Sequence, residues 1–316
     1  MKQIRTIGFG IVVAVYALAA LRYQPPRPAG LEAPASAFSA LRAQLALQGI
    51  VGDGSPRDVG SPGNERGRFF VVSELTRLGF AVEQATLMSC TRHGQCGATH
   101  NIIATRLGRD TSAQSIALMS HIDSVTAGPG ASDDAVGVAA CLEVARALAS
   151  GPPLHRAVKI VITDGEEAGI LGASALANDE AFMSNLGGIV NIDARGSGGP
   201  GAMFETSPSN ATLIDRFAAV SQRPVTSSLF YEVYRRMPND TDFSAFKNRI
   251  PGFNFANIAH IANYHTPRDS IENVDLGTLQ HHGEQALAMI RSMADDAGDI
   301  HGSSDAVWFD VMAWRV

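Results

Sequence analysis

At 316 residues, 45% of them hydrophobic, the chain is long enough for one large α/β domain or two small ones. Its net charge of -6 comes without any extended Lys/Arg run, so the basic face that a nucleic-acid partner needs to neutralise phosphates is absent from the pattern. No nucleic-acid partner is expected.

The N-terminus reads "MKQIRTIGFGIVVAVYALAALRYQPPRP": a cationic start at Lys2 and Arg5, an apolar run from about Ile7 to Leu21, then Pro-rich sequence. This is the pattern of an export signal or a short membrane anchor. Ala17-Leu18-Ala19 fits a small-residue cleavage site, whereas an uncleaved segment, the preferred reading, would be held with its N-terminus inside by Lys2 and Arg5. Either way the rest of the chain lies outside the cytoplasm, secreted or facing the periplasm or another extracytoplasmic side. The expected organisation is a signal or anchor over residues 1–23, a Pro-rich linker over 24–34, one main domain over 35–300 and a C-terminal tail over 301–316.

Beyond the linker, "ASAFSALRAQLALQGIVGD" and "GNERGRFFVVSELTRLGF" read as helices, followed by two strand-like runs, "AVEQATLMSC" and "THNIIATRL". Cys90 and Cys96 flank "TRHGQ" between those runs and suit a local disulfide in an oxidising compartment. Strand and helix then alternate: "SIALMS", "GVAACLEVARALAS", "AVKIVIT", "LGASALAND", "GGIVNI", "NATLIDRFAAV", "GFNFANI" and a long final helix, "LGTLQHHGEQALAMIRSMADD". Cys141 falls on the apolar face of one of these helices and is expected in the core. Apolar strands alternating with helices predict a single α/β domain with a mostly parallel, mixed central sheet flanked by helices.

In open α/β sheets functional residues collect beyond the carboxyl ends of the strands. Here His121 and Asp123 end "SIALMS", Glu166 and Glu167 follow "AVKIVIT", Asp193 ends "GGIVNI", and His265 follows "GFNFANI". Asp133 and Asp134 stand at the helix start in "GASDDAVG". Any one of these has an ordinary explanation, such as a helix N-cap or a solvated loop acid. Their joint order places six or more carboxylates and two imidazoles on one rim, where the acids either take up protons or share a cation. Nitrogen and oxygen ligands at an open site suit zinc, and a bridging carboxylate would allow two ions. In an adjacent Glu-Glu pair one acid can bind metal while its neighbour serves as general base.

The blocks "HIDSV", "GPGASDDAVGVAACLEVARAL", "DGEEAGILGASALA", "NIDARGSGG" and "YHTPRDSIENVD" resemble, in order and spacing, the zinc-dependent exopeptidases of peptidase family M28. The resemblance implies two zinc ions, with cobalt or manganese as possible substitutes. His121 and Asp193 would hold one ion, Glu167 and His265 the other, and Asp133 would bridge both. Glu166 would be the general base, and Asp123 would orient His121. It further implies a cis peptide between Asp133 and Asp134, and hydrolysis of the N-terminal bond of peptide substrates by a metal-bridging water. "PNDTDFSAFKNRIPGFNFA" and "GGPGAMFETSPSN" resemble the membrane-attached branch of the family. Asp242 is followed by Phe243 where the more usual family pattern has His or Tyr, and Arg249 precedes Ile250-Pro251 where it has Gly, so the resemblance does not carry substrate positioning over to this segment. Tyr231, Tyr234 and Tyr264 are all candidates for an oxyanion donor. Two alternatives stay open, a glutaminyl cyclase of the same fold and a non-catalytic peptidase-like ectodomain. "GSGGPG" at 196–201 is not read as a dinucleotide site, because no helix follows it and Pro200 interrupts it. The pattern leaves the oligomeric state unassigned.

Overall fold

A computed structural model describes residues 2–91 and 93–316. Seven strands form one mixed sheet in the order β1-β2-β4-β3-β5-β7-β6. They are β1 (Ala81–Cys90), β2 (Cys96–Arg106), β3 (Ser115–His121), β4 (Val158–Thr163), β5 (Leu186–Ala194), β6 (Ala202–Thr206) and β7 (Gly252–Asn257). The inner strands β4, β3, β5 and β7 run parallel, while β1, β2 and β6 are antiparallel to their neighbours. β6 is the strand the sequence pattern does not announce. It is only five residues long and lies at the sheet edge, where a continuous apolar run is not required.

The helices are α1 (Lys2–Arg22), α2 (Ala40–Val51), α3 (Pro62–Arg77), α4 (Gly137–Ala149), α5 (Leu171–Ala177), α6 (Glu180–Ser184), α7 (Ala211–Val220), α8 (Ser228–Tyr234) and α9 (Leu276–Asp295). Local chemistry sets several of their starts. Ser39 and Ser61 accept the backbone N–H groups of Arg42 and Asn64, and Pro62 occupies the first turn of α3, where its missing N–H costs nothing.

Because side chains alternate across a strand, each central strand feeds two cores. Ile116 and Leu118 of β3 join Ile160, Ile162, Val190 and Ile192 in the larger cluster under α2, α4 and α9. Ala117, Met119, Val161 and Ile189 face the other side and pack with Leu176, Phe182, Phe243 and Phe246. Truncating one of the fully buried aliphatics, such as Leu118→Ala, would cost about 2–5 kcal/mol by this burial. Cys141 is buried in the larger cluster, and Cys90 and Cys96 are directly paired across the β1–β2 hairpin and form a disulfide.

Residues Ile7 to Leu21 of α1 expose Ile7, Phe9, Ile11, Val12, Tyr16, Leu18 and Leu21. The cationic start at Lys2 and Arg5 lies outside the residues whose side chains are described. Among the described residues no helix is long and apolar enough to cross a membrane, which corrects the expectation of a transmembrane helix. An apolar run of roughly 15 residues makes about 22 Å of helix, short of the ~30 Å hydrocarbon core. The end of α1 is tied to the C-terminal tail: Arg22 donates to the carbonyls of Met312 and Ala313, and the Tyr23 hydroxyl donates to Asp310 at 2.6 Å.

Candidate metal centre

β3 lies between β4 and β5, so the chain leaves β3 on one side and returns on the other, and a crevice opens at the carboxyl ends of these strands. His121, the last residue of β3, and Asp193, near the end of β5, reach it directly. Glu166 and Glu167 enter from the loop after β4, and His265 from the loop after β7. Asp133 arrives on the turn that precedes α4. That turn depends on Gly130, whose φ is +61° and whose position leaves no room for a side chain, since a Cβ would sit 2.3 Å from the Asp133 carbonyl.

The rim therefore assembles every candidate ligand named from the sequence. His121 Nε2 lies 3.2 Å from Asp133 Oδ1 and 3.9 Å from Asp193 Oδ1. His265 Nε2 lies 3.1 Å from Asp133 Oδ2 and 2.9 Å from Glu167 Oε1. His121, Asp133 and Asp193 form one group whose ligand atoms all fall within 4.8 Å of one another, and Asp133, Glu167 and His265 form a second. Asp133 belongs to both. The Nε2 atoms of His121 and His265 and the Oε1 of Glu167 are buried and lack an aligned hydrogen bond, despite standing so close to acids. Buried polar atoms left in this way need a partner, and a cation between them fits the donor set.

Without a cation the electrostatics are strained. Burial pushes Asp193 up to about 8 and Glu167 up to about 7, each reinforced by the charge of Asp133 and opposed by the neighbouring histidines. Burial also opposes the charged forms of His121 and His265. Asp123 and Asp133 nevertheless carry His121 well above its ordinary value, and Asp133 and Glu167 carry His265 to about 9. Asp133 is itself disfavoured by burial, yet the two histidines draw it down to about 2. Half-buried Glu166 is raised well above the ordinary carboxylate range by desolvation and by Asp193, Asp242 and Glu167, with His121 opposing.

Asp123 does more than the sequence reading assigns to it. Its two carboxylate oxygens accept the backbone N–H groups of Glu166 and Glu167, both at 3.0 Å, and so fix the loop carrying both acids. His121 Nδ1 lies 3.1 Å from the Asp123 backbone carbonyl and 3.5 Å from its carboxylate. Asp134 turns away from the rim and accepts from the Ser120 hydroxyl and the Gly137 N–H, and the peptide between Asp133 and Asp134 is cis.

Four further residues complete the surroundings. Asp269 accepts the N–H groups of Ser132 at 2.7 Å and Asp133 at 3.0 Å. Buried Asp242 accepts from the Thr163 hydroxyl, and burial raises it to about 6. Fully buried Arg57 donates to the carbonyls of Ile122 and Gly130 at 2.9 Å and to that of Pro129. Burial lowers it to about 10, with Asp123, Asp269, Asp134 and Asp133 opposing, so it stays charged beneath the acids. Arg195 is the fourth, placed one residue past β5. Asp242 and Asp269 were within reach of the sequence, each standing in a quoted block. Arg57 carries no such signal, because its acids lie 66 or more positions away in the chain.

Of the three tyrosines, Tyr264 stacks its ring on the His265 imidazole at 3.7 Å. The Tyr234 hydroxyl is buried and has no hydrogen-bond partner. Burial raises both phenols, followed by Glu205 for Tyr234 and by the acids of the rim for Tyr264, so each remains a donor. Tyr231 instead packs toward Trp308, with ring centroids 6.4 Å apart.

The mixed sheet and its carboxylate-imidazole rim define the zinc-dependent exopeptidase fold. Solved structures with this architecture include a Zn-dependent exopeptidase from Parabacteroides distasonis, with a TM-score of 0.65, 21% identity, and coverage of 82% of this chain and 99% of that one. A glutaminyl cyclase from Porphyromonas gingivalis also has a TM-score of 0.65, with 24% identity and coverage of 81% and 99%. Residues 101–290 match Peptidase family M28, and the chain belongs to that family. The chain is 30% identical over 227 residues to endoplasmic reticulum metallopeptidase 1 of Mus musculus, covering 68% of this chain and 25% of that protein. It thus spans about a quarter of the length of the curated relatives it matches.

Proposed function

We propose that this protein is a dizinc aminopeptidase that hydrolyses the N-terminal bond of peptides. The observation that carries this reading is the sharing of Asp133 by two nitrogen-oxygen groups, each with its own histidine and second acid. In it His121 and Asp193 would hold one cation, Glu167 and His265 the other, and Asp133 both. Bound zinc would act as a Lewis acid toward the scissile carbonyl and lower the pKa of the attacking water.

The protein's own groups do the rest. Glu166, whose basicity desolvation and then neighbouring acids raise, is suited to take a proton from water and return it to the leaving amine. Asp123 holds Glu166 and Glu167 through their backbone N–H groups, so that one acid can ligate while the other works as base. Tyr234 and Tyr264 keep their protons and can donate to an oxyanion. We assign residues 35–300 to the catalytic domain, 1–23 to an export or membrane-associating segment, 24–34 to the linker and 301–316 to the tail. An exposed apolar helix beside a disulfide-bearing domain supports a location outside the cytoplasm, at a membrane surface or secreted.

The test is mass spectrometry of a peptide pool with free, acetylated and Gln-initiated N-termini, incubated with the zinc-loaded protein. Stepwise, chelator-sensitive loss of residues from free N-termini alone is the expected result. Ammonia loss confined to Gln-initiated peptides would identify a cyclase instead, and an unchanged pool would leave a binding ectodomain.

A further inference from the structure

The rim is rich in acids, yet a guanidinium beside it has no acid partner among the described residues. The Arg195 N–H donates to the Asn257 carbonyl at 2.9 Å, so the β5–β7 ladder continues one residue past the named end of β5. Alternation along that extended segment sends the Arg195 side chain to the same side as Asp193, roughly 7 Å further along the strand. Its Cζ lies 5.9 Å from the centroid of the Tyr264 ring, and that ring is the one stacked on His265. The guanidinium thus lies over a phenol ring that is itself stacked on a candidate ligand.

Two further facts bear on what Arg195 does. In the amide orientation that satisfies both groups, with its oxygen toward Arg195, Asn239 accepts from the guanidinium. Second, the ion pairs among the described residues include none to Arg195, although Asp133, Glu166, Glu167 and Asp193 share the crevice. A guanidinium has five donors in a planar fork, and one amide oxygen plus a ring face leave most of them available. A half-buried cation steadied in this way, without an acid of its own, is arranged to receive an anion.

We propose that Arg195 binds a carboxylate carried by the leaving residue of the substrate, so that the favoured substrates are dipeptides with a free C-terminus or peptides with an acidic second residue. This rests on the peptidase reading of the centre. A peptide's N-terminal ammonium would be repelled by Arg195 and attracted by the acids, which orients the chain with its negative end toward the guanidinium. The leaving residue's α-carboxylate is three bonds from the scissile carbonyl carbon, a span compatible with the two-residue step between Asp193 and Arg195.

The experiment is calorimetric titration of Ala-Ala, Ala-Ala-amide, Ala-Asp-amide and Ala-Asn-amide into the full chain after its metal has been stripped by chelator, so that turnover does not interfere. Wild type is compared with Arg195→Gln and Arg195→Lys. A charge-assisted, forked contact predicts that wild type prefers a carboxylate to its amide counterpart by about tenfold or more, that Arg195→Gln loses the preference, and that Arg195→Lys regains part of it. Preference in the Ala-Ala pair assigns the C-terminal carboxylate, and preference in the Ala-Asp pair assigns the side chain. Equal affinities within both pairs, a preference that survives Arg195→Gln, or no binding of any of the four would overturn the proposal. The same peptides are then followed with the zinc-loaded protein, where the Ala-Ala to Ala-Ala-amide ratio of kcat/KM should fall about tenfold in Arg195→Gln. A binding preference without hydrolysis of any peptide would keep the carboxylate site and reject the peptidase reading.

Discussion

Asp269 Oδ2 accepts the backbone N–H of Asp133 at 3.0 Å, so the carboxylate shared by the two candidate ligand groups is held from behind by another acid. In Asp269→Asn, which keeps the shape but places an amide NH2 against one of the two backbone N–H groups, Asp133 should lose its aim. Metal affinity is expected to drop about 10–100-fold, the usual consequence of disturbing a ligand's support. Competition with a chromogenic chelator measures this, and an unchanged affinity would remove Asp269 from that role.

The two neighbouring acids after β4 should separate on mutation. Glu166→Gln is expected to lower kcat by about 10²–10⁴ with zinc content intact, because a general base is removed and no ligand is lost. Asp133→Ala should instead lose zinc. Elemental analysis beside rate measurement distinguishes the two, and full zinc occupancy in Asp133→Ala would sink the bridging assignment.

The metal-free protein should become less stable as pH rises. Burial raises Glu167 to about 7 and Asp193 to about 8 in the folded chain, and His265 stands at about 9 in spite of burial because the carboxylates of Asp133 and Glu167 lie beside it. All three therefore bind more protons folded than unfolded, and stability declines from about pH 5 to about pH 9 as those protons leave. Asp133, drawn down to about 2 against its burial by the histidines, acts with the opposite sign only below about pH 4, and His281 and His282, lowered by burial to about 4 and about 3, oppose the decline only up to about pH 6.5, so its clear part lies above that. Zinc needs the deprotonated ligands, so adding it should flatten the decline. Thermal denaturation at several pH values, with chelator or zinc, reads both effects. A metal-free Tm that climbs across that upper part of the window would contradict the arrangement.

Arg57 is the buried cation beneath the acids, and its loss leaves the Ile122 and Gly130 carbonyls without that donor and the nearby carboxylates without a compensating charge. Arg57→Met, close in length but uncharged, should destabilise the fold by about 3–5 kcal/mol, the range for breaking a buried charged network. Urea denaturation measures it, and a change under about 1 kcal/mol would show that Arg57 fills space and little else.

The exposed apolar face of α1 should govern where the chain partitions. Deleting residues 1–22 is expected to move the protein from the membrane fraction to the supernatant while leaving zinc-dependent hydrolysis in place. Full-length protein already soluble after cell breakage would favour a secreted form.

The central strands and major helices were legible in the chain, because burial on both faces of a parallel strand demands uninterrupted apolar runs such as "SIALMS" and "AVKIVIT". His121, Glu166, Glu167, Asp193 and His265 were legible for a related reason, since a strand's carboxyl end delivers whatever follows it to the common crevice. The short edge strand β6 and helix α8 were not, being too brief and too exposed to impose a period. Only the tertiary structure decided that Asp123 holds the glutamate loop, that Asp269 and Arg57 support the rim from below, and that Arg195 stands beside it unpaired by any described acid. Those relations join residues from distant parts of the chain, and spacing along a sequence carries no distance between segments that meet only when the sheet closes.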